Sequence, residues 1–586
     1  MKRGRLLILI VLSVILILPA AYSCVLNAGT QSVGRLHIEP DKGNYLYIDR
    51  YDLQIAGSDK DGTTYFFLPS YVELSSLDLK GSPKKVFTSD ESLLTDPKLG
   101  ELQEVTVEDS PGVQIPWRIC FMRSANIHTL YLEMKDSDPS DISKDGFSTI
   151  SLSAYSDTGI LEFIEKRCLI KGRGNATWDL GGYYPAKLPY EIRFNNAHGL
   201  GELSPEKKWV LLANAYEGTG ILNKMVFDTA RRMEMNFVPE SDWADVYMNG
   251  HYLGNYLVCN EVQNSASALV NAGGCIIEKN DVYYDEKPAG FKTDHDAFTI
   301  KAPKPISDAF LSKVRELTLD IDACLNQDVP DTHLTDLDSF VKWYLLEEFF
   351  YNEDALITSC FFYTDHSARQ LFAGPPWDFD GTCGEGFGEY LNPRGSILNE
   401  DKTRQPIEWY GRLYNDSAEF NTLLRENFRK YLSVYETLIT SGIDSYYDTV
   451  HASMEMDLAL YGRNGYGPEY TVPGYYAGEY NNIRFTKYFL YNRLIHLAGL
   501  WDEALDLTCS GLADGSIHTV TLMSPDGSSS TQKVPDGAVL ALSSLPAYDP
   551  DEYSGWYYKA NDLPVSPYLP VFEDITLYLY AADSSF

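Results

Sequence analysis

The chain has 586 residues, enough for several domains of about 100–200 residues each. Its formal net charge is −35 at pH 7, and because so acidic a protein is repelled by phosphates, we exclude nucleic acid as a partner. A hydrophobic fraction of 44% and an aromatic fraction of 13% exclude a disordered chain.

Residues 1–24 have the features of an export signal. A basic stretch at 1–5 precedes an apolar run at 6–19 and small residues before Cys24. Cys24 lies where a bacterial lipoprotein carries its lipid, although simple cleavage and an uncleaved anchor stay open. We therefore expect an extracytoplasmic protein that is secreted or anchored at the outer face of the cytoplasmic membrane, with no other membrane contact.

Residues 25–115 are predicted to be β-rich. Short β-prone runs at Tyr45–Ile48, 65–68 and 104–107 are separated by Gly, Asp, Pro and Lys clusters. This region is either a small β-domain or a β-rich extension of the domain that follows.

Residues 116–505 are predicted to mix strands with helices. Alternating apolar residues indicate strands, and apolar residues at helical spacing indicate helices. The predicted strands and helices lie at 129–133 and 188–194, and at 334–352, 419–437 and 482–500. Strands followed by a helix-rich half indicate an α+β fold.

Residues 506–586 are predicted to form a small all-β module. Strands at 519–522, 538–542 and 575–580 lie between Asp-Gly and Pro turns. The layout, with Gly555-Trp556-Tyr557 before the last strand, resembles the InlB-type β-grasp repeats of Gram-positive surface proteins. That resemblance implies an accessory role at the cell surface.

Several common catalytic signatures do not occur in the sequence. It has no G-x-x-x-x-G-K-[ST] loop, no G-x-S-x-G elbow and no H-E-x-x-H, and its ten His show no metal-ligand spacing. Serine-hydrolase, zinc and Rossmann-type chemistry are therefore not supported.

An acidic pair, Asp378 and Asp380, stands in the apolar segment Trp377-Asp378-Phe379-Asp380. On an extended segment, residues two apart point to one face, so the carboxylates would repel each other. A divalent cation such as Mg²⁺ relieves this repulsion and keeps positions open for phosphate. From the spacing alone, a metal site and a pair of turn or capping aspartates both remain possible.

Asp354 lies upstream, in Asn352-Glu353-Asp354, after the predicted helix at 334–352. Protein kinases follow the same order, with an Asp that orients the substrate hydroxyl, a short hairpin and a metal-binding Asp. Taken alone, Asp354 is equally compatible with the end of a helix.

A third segment, Lys171-Gly172-Arg173-Gly174-Asn175, combines small residues with basic ones, and Lys187 follows it before a predicted strand. Such residues can approach phosphates closely, and a lysine can bind them as a point charge. A simple turn is the alternative.

Together these segments resemble the CotH family of atypical protein kinases. The family shows, in order, R-G-N-S-T-W, a lysine before a strand, W-x-L-L-A-N, V-Y-x-N-G-x-Y-L-G-x-Y with a following Glu, N-x-D and G-P-x-W-D-F-D. The matching parts of this chain are 173–178, Lys187, 209–214, 246–256 with Glu261, 352–354 and 374–380.

The resemblance implies a divergent protein-kinase-like fold that binds ATP with Mg²⁺ or Mn²⁺ and phosphorylates Ser or Thr in extracytoplasmic proteins, such as surface or coat proteins. Asp354 becomes the expected catalytic base or substrate-orienting acid. Asp378 becomes the catalytic metal ligand, and Asp380 supports it. We expect a monomer.

The resemblance also implies which residues bind the nucleotide. Arg173 and Asn175 would lie beside it, Lys187 would bind its phosphates, and Glu261 would form an ion pair with Lys187.

The chain departs from the family pattern at three informative positions. Ala176 replaces the Ser of R-G-N-S-T-W, and Glu217 stands near the position where the family commonly has Asp. Ser359 stands where kinases often place a metal-binding Asn. These departures keep two alternatives open: a non-catalytic surface scaffold with the same fold, and a metal-dependent phosphohydrolase that uses the same carboxylates.

Overall fold

The computed structural model contains two compact units, whose described parts fall within residues 45–510 and 511–581. The described residues are 45–48, 53–72, 85–87, 98–110, 112–174, 177–178, 187–215, 217–279, 289–352, 354–384, 391–399, 407–462, 476, 479–559 and 564–581. The predicted export signal at 1–24 and Asn175 lie outside them.

The larger unit begins with a hairpin and a five-stranded sheet in the order β3-β4-β7-β6-β5. The strands are β1 (Tyr45–Ile48), β2 (Leu53–Ala56), β3 (Ser58–Lys60), β4 (Thr63–Leu68), β5 (Lys85–Phe87), β6 (Gln103–Ser110) and β7 (Val113–Arg123). These strands confirm the β-prone runs read from the sequence. Phe66 and Phe121 share a core with Tyr247 and Tyr252 of the following barrel, so the sheet and the barrel pack around common hydrophobic residues.

A closed seven-stranded barrel follows, in the order β10-β11-β12-β14-β13-β8-β9. Its strands are β8 (His128–Glu133), β9 (Ser148–Tyr155), β10 (Leu161–Gly172), β11 (Tyr190–Leu200), β12 (Leu203–Leu212), β13 (Ser241–Met248) and β14 (His251–Cys259), with helix α1 (Leu222–Arg232) between β12 and β13. Tyr190, Ile192 and Phe194 share the barrel core with Trp209, as their alternation predicts.

A second mixed region carries a five-stranded sheet in the order β16-β17-β15-β18-β19. Its elements are α2 (Val262–Ser265), α3 (Ser267–Asn271), β15 (Cys275–Lys279), β16 (Gly290–Lys292), β17 (Ala297–Ala302), α4 (Asp308–Leu325), α5 (Leu337–Phe350), β18 (Cys360–Thr364) and β19 (Phe372–Ala373). The β18–β19 hairpin separates the Asp354 loop from the Asp378 segment.

Helix α5 confirms the predicted buried helix and sets the start of the Asp354 loop. The Asp336 side chain caps its first turn by accepting a hydrogen bond from the Ser339 N–H at 2.9 Å. The helix ends at Tyr351, whose φ of +52° lies in the left-handed region and turns the chain sharply.

The rest of the larger unit is helical, as predicted. Its elements are α6 (Glu408–Asp416), α7 (Ala418–Thr437), a π-helical turn (Leu438–Gly442), α8 (Ile443–Tyr461) and α9 (Glu479–Leu500). Arg493 of α9 is fully buried and pairs with the Glu348 carboxylate at 3.0 Å, which ties α9 to α5. Among the described helices, none combines the length and apolar character that a membrane crossing requires.

The smaller unit is a four-stranded sheet in the order β21-β20-β23-β22. Its strands are β20 (Ile517–Met523), β21 (Ser529–Pro535), β22 (Tyr553–Tyr558) and β23 (Ile575–Ala581). The predicted strands at 519–522 and 575–580 are confirmed, but the one at 538–542 is wrong. Val539 makes a single bridge to Pro570, which has no N–H with which to extend a ladder. Helices and sheets together confirm the α+β prediction for the chain.

Candidate functional site

The segment after β19 is held in place by its neighbours on both sides. The Phe379 side chain is buried, and the backbone N–H of Phe379 donates a hydrogen bond to the Asn223 side-chain oxygen at 3.0 Å. Asp378 faces solvent, and the Ser359 hydroxyl donates to its Oδ2 at 2.9 Å. This arrangement anchors the backbone while it leaves the Asp378 carboxylate open to a ligand.

The segment is not extended at Asp378, so the geometry in which both carboxylates would point to one face does not apply. Asp378 has a φ of +73°, in the left-handed region that non-glycine residues rarely adopt. Asp378 is exposed and Asp380 is half-buried. A strained backbone at a solvent-facing acid is a feature typical of functional sites.

Four carboxylates interact electrostatically at this site. Burial raises the pKa of Asp380 well above its usual range, and repulsion from Asp378, Glu217 and Asp354 raises that pKa further. Although the Asp378 side chain reaches solvent, the surrounding protein partly desolvates its carboxylate. This desolvation, followed by repulsion from Asp354, raises the pKa of Asp378, whereas Arg173 opposes that rise. So much negative charge in one place favours a bound cation.

The carboxylate oxygens suit Mg²⁺ or Mn²⁺, which prefer oxygen ligands. Among the described residues, no three of these acids bring ligand atoms within 4.8 Å of one another; Cys324, in the last turn of α4, and Asp331 and His333, which follow the helix, do meet that spacing. A cation bound by the acids would therefore complete its shell with water or phosphate oxygens, as Mg²⁺ commonly does.

Asp354 lies on the loop after α5, and Asn352 links this loop to the Asp378 segment. The Asn352 side-chain oxygen accepts from the Asp354 N–H at 3.1 Å. The Asn352 amide donates to Glu347 Oε2 at 2.9 Å and to the Asp378 carbonyl at 3.4 Å. One buried amide thus contacts both loops that carry predicted catalytic acids.

Glu347 lies beneath these loops and is 2% exposed. Burial raises its pKa to about 8, and Asp354 and Asp378 repel its charge, although the Asn352 hydrogen bond favours it. The raised pKa favours the protonated form of Glu347, which supports Asn352 without adding another charge to the site.

Arg173 lies next to Trp377 at the start of the Asp378 segment. The Arg173 guanidinium is 5.6 Å from the Trp377 ring centroid. The backbone N–H of Arg173 donates a hydrogen bond to the Pro189 carbonyl at 3.2 Å. Because Arg173 lowers the pKa of Asp378, the two charges lie within electrostatic reach. Asn175 lies outside the described residues.

The expected pairing of Lys187 with Glu261 is wrong in this structure. Lys187 is 4% exposed, and its Nζ lies 2.5 Å from Asp457 Oδ2. Glu261 instead pairs with Lys208. The lack of a side chain at Gly254 makes room for Lys187, since a Cβ there would lie 2.7 Å from Lys187 Cε.

Asp457 belongs to a buried network that joins α8 to the barrel. Its Oδ1 accepts from the Asn255 N–H at 2.9 Å and lies 3.0 Å from the Tyr252 hydroxyl. The same hydroxyl lies 3.1 Å from Asp245 Oδ1. Burial raises the pKa of Asp457, and the Lys187 charge opposes that rise. The network thus holds Asp457 through its Oδ1, whereas Lys187 contacts its Oδ2.

Glu217 lies just before α1 and is 4% exposed. Its Oε2 accepts from the Thr219 hydroxyl at 2.8 Å and from the Leu222 N–H at 2.9 Å. Its Oε1 is buried and has no hydrogen-bond partner among the described residues. Burial raises the pKa of Glu217 to about 7, whereas those two hydrogen bonds and the Lys187 charge favour its ionised form.

Sequence reasoning assigned no role to Glu217 or Asp457. Glu217 was visible only as a departure from the family pattern. Asp457 had a usable signal, because it shares the buried face of α8 with Val450, Ser453 and Leu460 at helical spacing. An acid on an apolar helix face needs a partner, which points to a buried ion pair.

The comparison with protein families matches the sequence profile described as CotH kinase protein to residues 170–484, more than half of the chain. That range contains Arg173, Lys187, Asp354, Asp378 and Asp457. A search of curated proteins found no match. Because this match covers more than half of the chain, the chain belongs to the CotH kinase protein family.

Proposed function

We propose that this protein is an atypical Ser/Thr protein kinase that transfers the γ-phosphate of ATP to an extracytoplasmic protein. The observation that carries the proposal is the site where Asn352 contacts both the Asp354 loop and the Asp378 backbone. Asp354 also repels the charge of Asp378, so the two acids lie within electrostatic reach of each other. Family membership supports the same chemistry.

The order of elements supports a divergent kinase-like fold. The Arg173 loop follows β10, and Lys187 precedes β11; β12, helix α1 and the β13–β14 hairpin come next. The Asp354 loop, the β18–β19 hairpin and the Asp378 segment then follow. Protein kinases likewise place a small-residue loop and a phosphate-binding lysine before the catalytic Asp and the metal-binding Asp.

Asp378 and Asp380 would hold Mg²⁺ or Mn²⁺, which supplies charge neutralisation to the transferring phosphoryl group. Asp354 accepts the proton of the substrate hydroxyl or orients that hydroxyl for attack on the γ-phosphorus. The Ser359 hydroxyl fixes the orientation of the Asp378 carboxylate by donating a hydrogen bond to its Oδ2. Together these side chains provide the positioning on which phosphoryl transfer depends.

The basic residues provide the nucleotide side of the site. Arg173 presents a planar guanidinium beside Trp377, suited to a phosphate oxygen pair. Asn175, two positions later in the sequence, would add a polar contact to the nucleotide. Lys187 offers a point charge, and its ion pair with Asp457 holds the lysine side chain in place. Glu261 affects the site through Arg173, since the Lys208 and Arg173 charges outweigh burial and keep the pKa of Glu261 below its usual value.

The acceptor that fits this proposal is a Ser- or Thr-containing surface or coat protein outside the cytoplasmic membrane. The proposal rests on the N-terminal export signal, with Cys24 or an anchor as the one membrane attachment. The all-β module at 506–586 would add a contact with the cell surface, and the chain would act as a monomer. Its net charge of −35 makes nucleic acid an unsuitable partner.

A non-catalytic scaffold is the second candidate, and Ser359 favours it. This serine occupies the position of a kinase metal-binding Asn, and its hydroxyl is engaged with Asp378. A scaffold needs no nucleotide, so nucleotide binding separates the two candidates.

Calorimetry on the purified chain lacking residues 1–24 is the test. We expect ATP to bind in the presence of millimolar Mg²⁺ or Mn²⁺ and to bind at least about tenfold more weakly after chelation with EDTA, because the cation shields phosphates from the carboxylates. Heat exchange that is absent under both conditions would contradict the kinase proposal and favour the scaffold. ATP consumption with release of free phosphate, and without labelled protein, would instead indicate a phosphohydrolase.

A further inference from the structure

Three side chains with different metal-binding atoms meet at the end of α4. Cys324 lies in the last turn of that helix, and Asp331 and His333 lie in the segment between α4 and α5. The Cys324 sulfur, an Asp331 carboxylate oxygen and a His333 ring nitrogen all lie within 4.8 Å of one another. The cluster shares no residue with the Asp354 loop or the Asp378 segment.

Hydrogen bonds hold the segment that carries Asp331 and His333 against the helix end. The Asp331 backbone N–H donates to the Cys324 carbonyl at 3.0 Å. His333 Nδ1 lies 2.8 Å from Asp331 Oδ1, and the same oxygen accepts from the His333 backbone N–H at 3.1 Å. Between them, the Thr332 hydroxyl donates to Glu419 Oε2 at 3.1 Å, which ties the segment to the first turn of α7. The carboxylate and the imidazole are thus already placed beside the thiol.

This set of ligand atoms favours Zn²⁺. Thiolate sulfur and imidazole nitrogen are typical zinc ligands, whereas Mg²⁺ and Ca²⁺ prefer oxygen alone. Tetrahedral zinc with bonds of about 2.0–2.3 Å places its ligand atoms roughly 3.3–3.8 Å apart. Separations within 4.8 Å therefore require only small side-chain rotations to close around the ion. Asp331 and His333 are exposed and Cys324 is partly buried, so water can reach a fourth position.

We propose that Cys324, Asp331 and His333 bind one Zn²⁺ ion, with water as the fourth ligand. The ion joins the end of α4 to the segment that leads into α5. That segment is also tied to Leu371, just before β19, whose N–H donates to the Leu334 carbonyl at 2.9 Å. Because the site depends on this folded arrangement, bound Zn²⁺ stabilises the larger unit. Histidine spacing alone does not reveal the site, since its three ligands are of three residue types.

The test titrates the purified full-length chain with Co²⁺, which substitutes for Zn²⁺ and reports a thiolate ligand by a charge-transfer band in the near ultraviolet. We expect the wild type to show this band at one Co²⁺ per chain and to lose it when Zn²⁺ displaces the Co²⁺. His333→Ala should bind at least about tenfold more weakly, and Cys324→Ser should lack the band. The matched controls are Cys509→Ser and His366→Ala, which alter a partly buried cysteine and an exposed histidine outside the cluster and should retain the band.

Thermal melting provides a second readout. Zn²⁺ should raise the melting temperature of the wild type above that of EDTA-treated protein, and Cys324→Ser should lose most of this increase. An unchanged band in folded Cys324→Ser, or an equal rise in melting temperature in both proteins, would overturn the site. Absence of the band in the wild type would overturn it without any variant. Since no nucleotide is present, these outcomes leave the kinase proposal to its own test.

Discussion

Replacement of Asp378 by asparagine is expected to weaken Mn²⁺-dependent nucleotide binding at least about 100-fold, because it removes the exposed carboxylate that would hold the metal. The same variant should melt at a higher temperature than the wild type at pH 7. The surrounding protein partly desolvates this carboxylate although it reaches solvent, and Asp354 repels it; both effects raise the pKa of Asp378, so its charge destabilises the folded state. Opposite effects on binding and stability are the signature of a functional acid.

The matched control for Asp378→Asn is Asp365→Asn, in the turn of the β18–β19 hairpin. Asp365 is exposed, and its Oδ1 accepts from the Ser367 N–H at 2.8 Å, a bond that asparagine keeps. We expect unchanged nucleotide binding in this control. Equal Mn²⁺-dependent affinity in wild type and folded Asp378→Asn would show that Asp378 is not the metal ligand.

Replacement of Asp457 by alanine is expected to destabilise the larger unit by about 3–5 kcal/mol, the range for removing one partner of a buried ion pair. Lys187 is 4% exposed and would be left buried without its partner. The Asn255 N–H would also lose its acceptor. Urea-induced unfolding, compared with that of the wild type, measures the change.

Two further variants separate the ion pair from a general effect on α8. Asp448→Ala makes the same substitution at an exposed position of that helix and should change stability by no more than about 0.5 kcal/mol. The double variant Lys187→Met, Asp457→Leu replaces both charges with apolar groups and should recover much of the loss. Asp457→Ala at wild-type stability would contradict a structural role for the pair.

Local sequence patterns predicted the elements well where burial alone decides them. The helices at Leu337–Phe350 and Ala418–Thr437 and the strand that starts at Tyr190 follow from apolar spacing. The strand at 538–542 failed because Pro570, the bridge partner of Val539, has no N–H with which to extend a ladder. Apolar composition indicates burial, but strand pairing also depends on what lies opposite.

The candidate site was predictable to the extent that its motifs are local. Asp354 and Asp378 were found because each lies in a short segment with a recognisable order. The partner of Lys187 was not found, since Asp457 is 270 positions away along the chain and only the fold brings α8 against the barrel. The family pattern offered Glu261 instead, which in this chain pairs with Lys208.

Backbone conformation was the other feature hidden from the sequence. The motif Trp377-Asp378-Phe379-Asp380 suggests an extended segment, yet Asp378 adopts a φ of +73°. Contacts from Asn223 and Ser359, both outside the motif, accompany this conformation. The motif identifies the acids, and the surrounding fold decides which way each one faces.

The most direct test of the kinase proposal is transfer of radiolabel from [γ-³²P]ATP with Mn²⁺ to Ser or Thr of a co-expressed surface or coat protein. Wild-type protein should label the acceptor, and Asp354→Ala and Asp378→Ala should each abolish the labelling while Asp365→Asn retains it. Labelling at the wild-type rate in both alanine variants would contradict the assignment of this site as the centre of phosphoryl transfer.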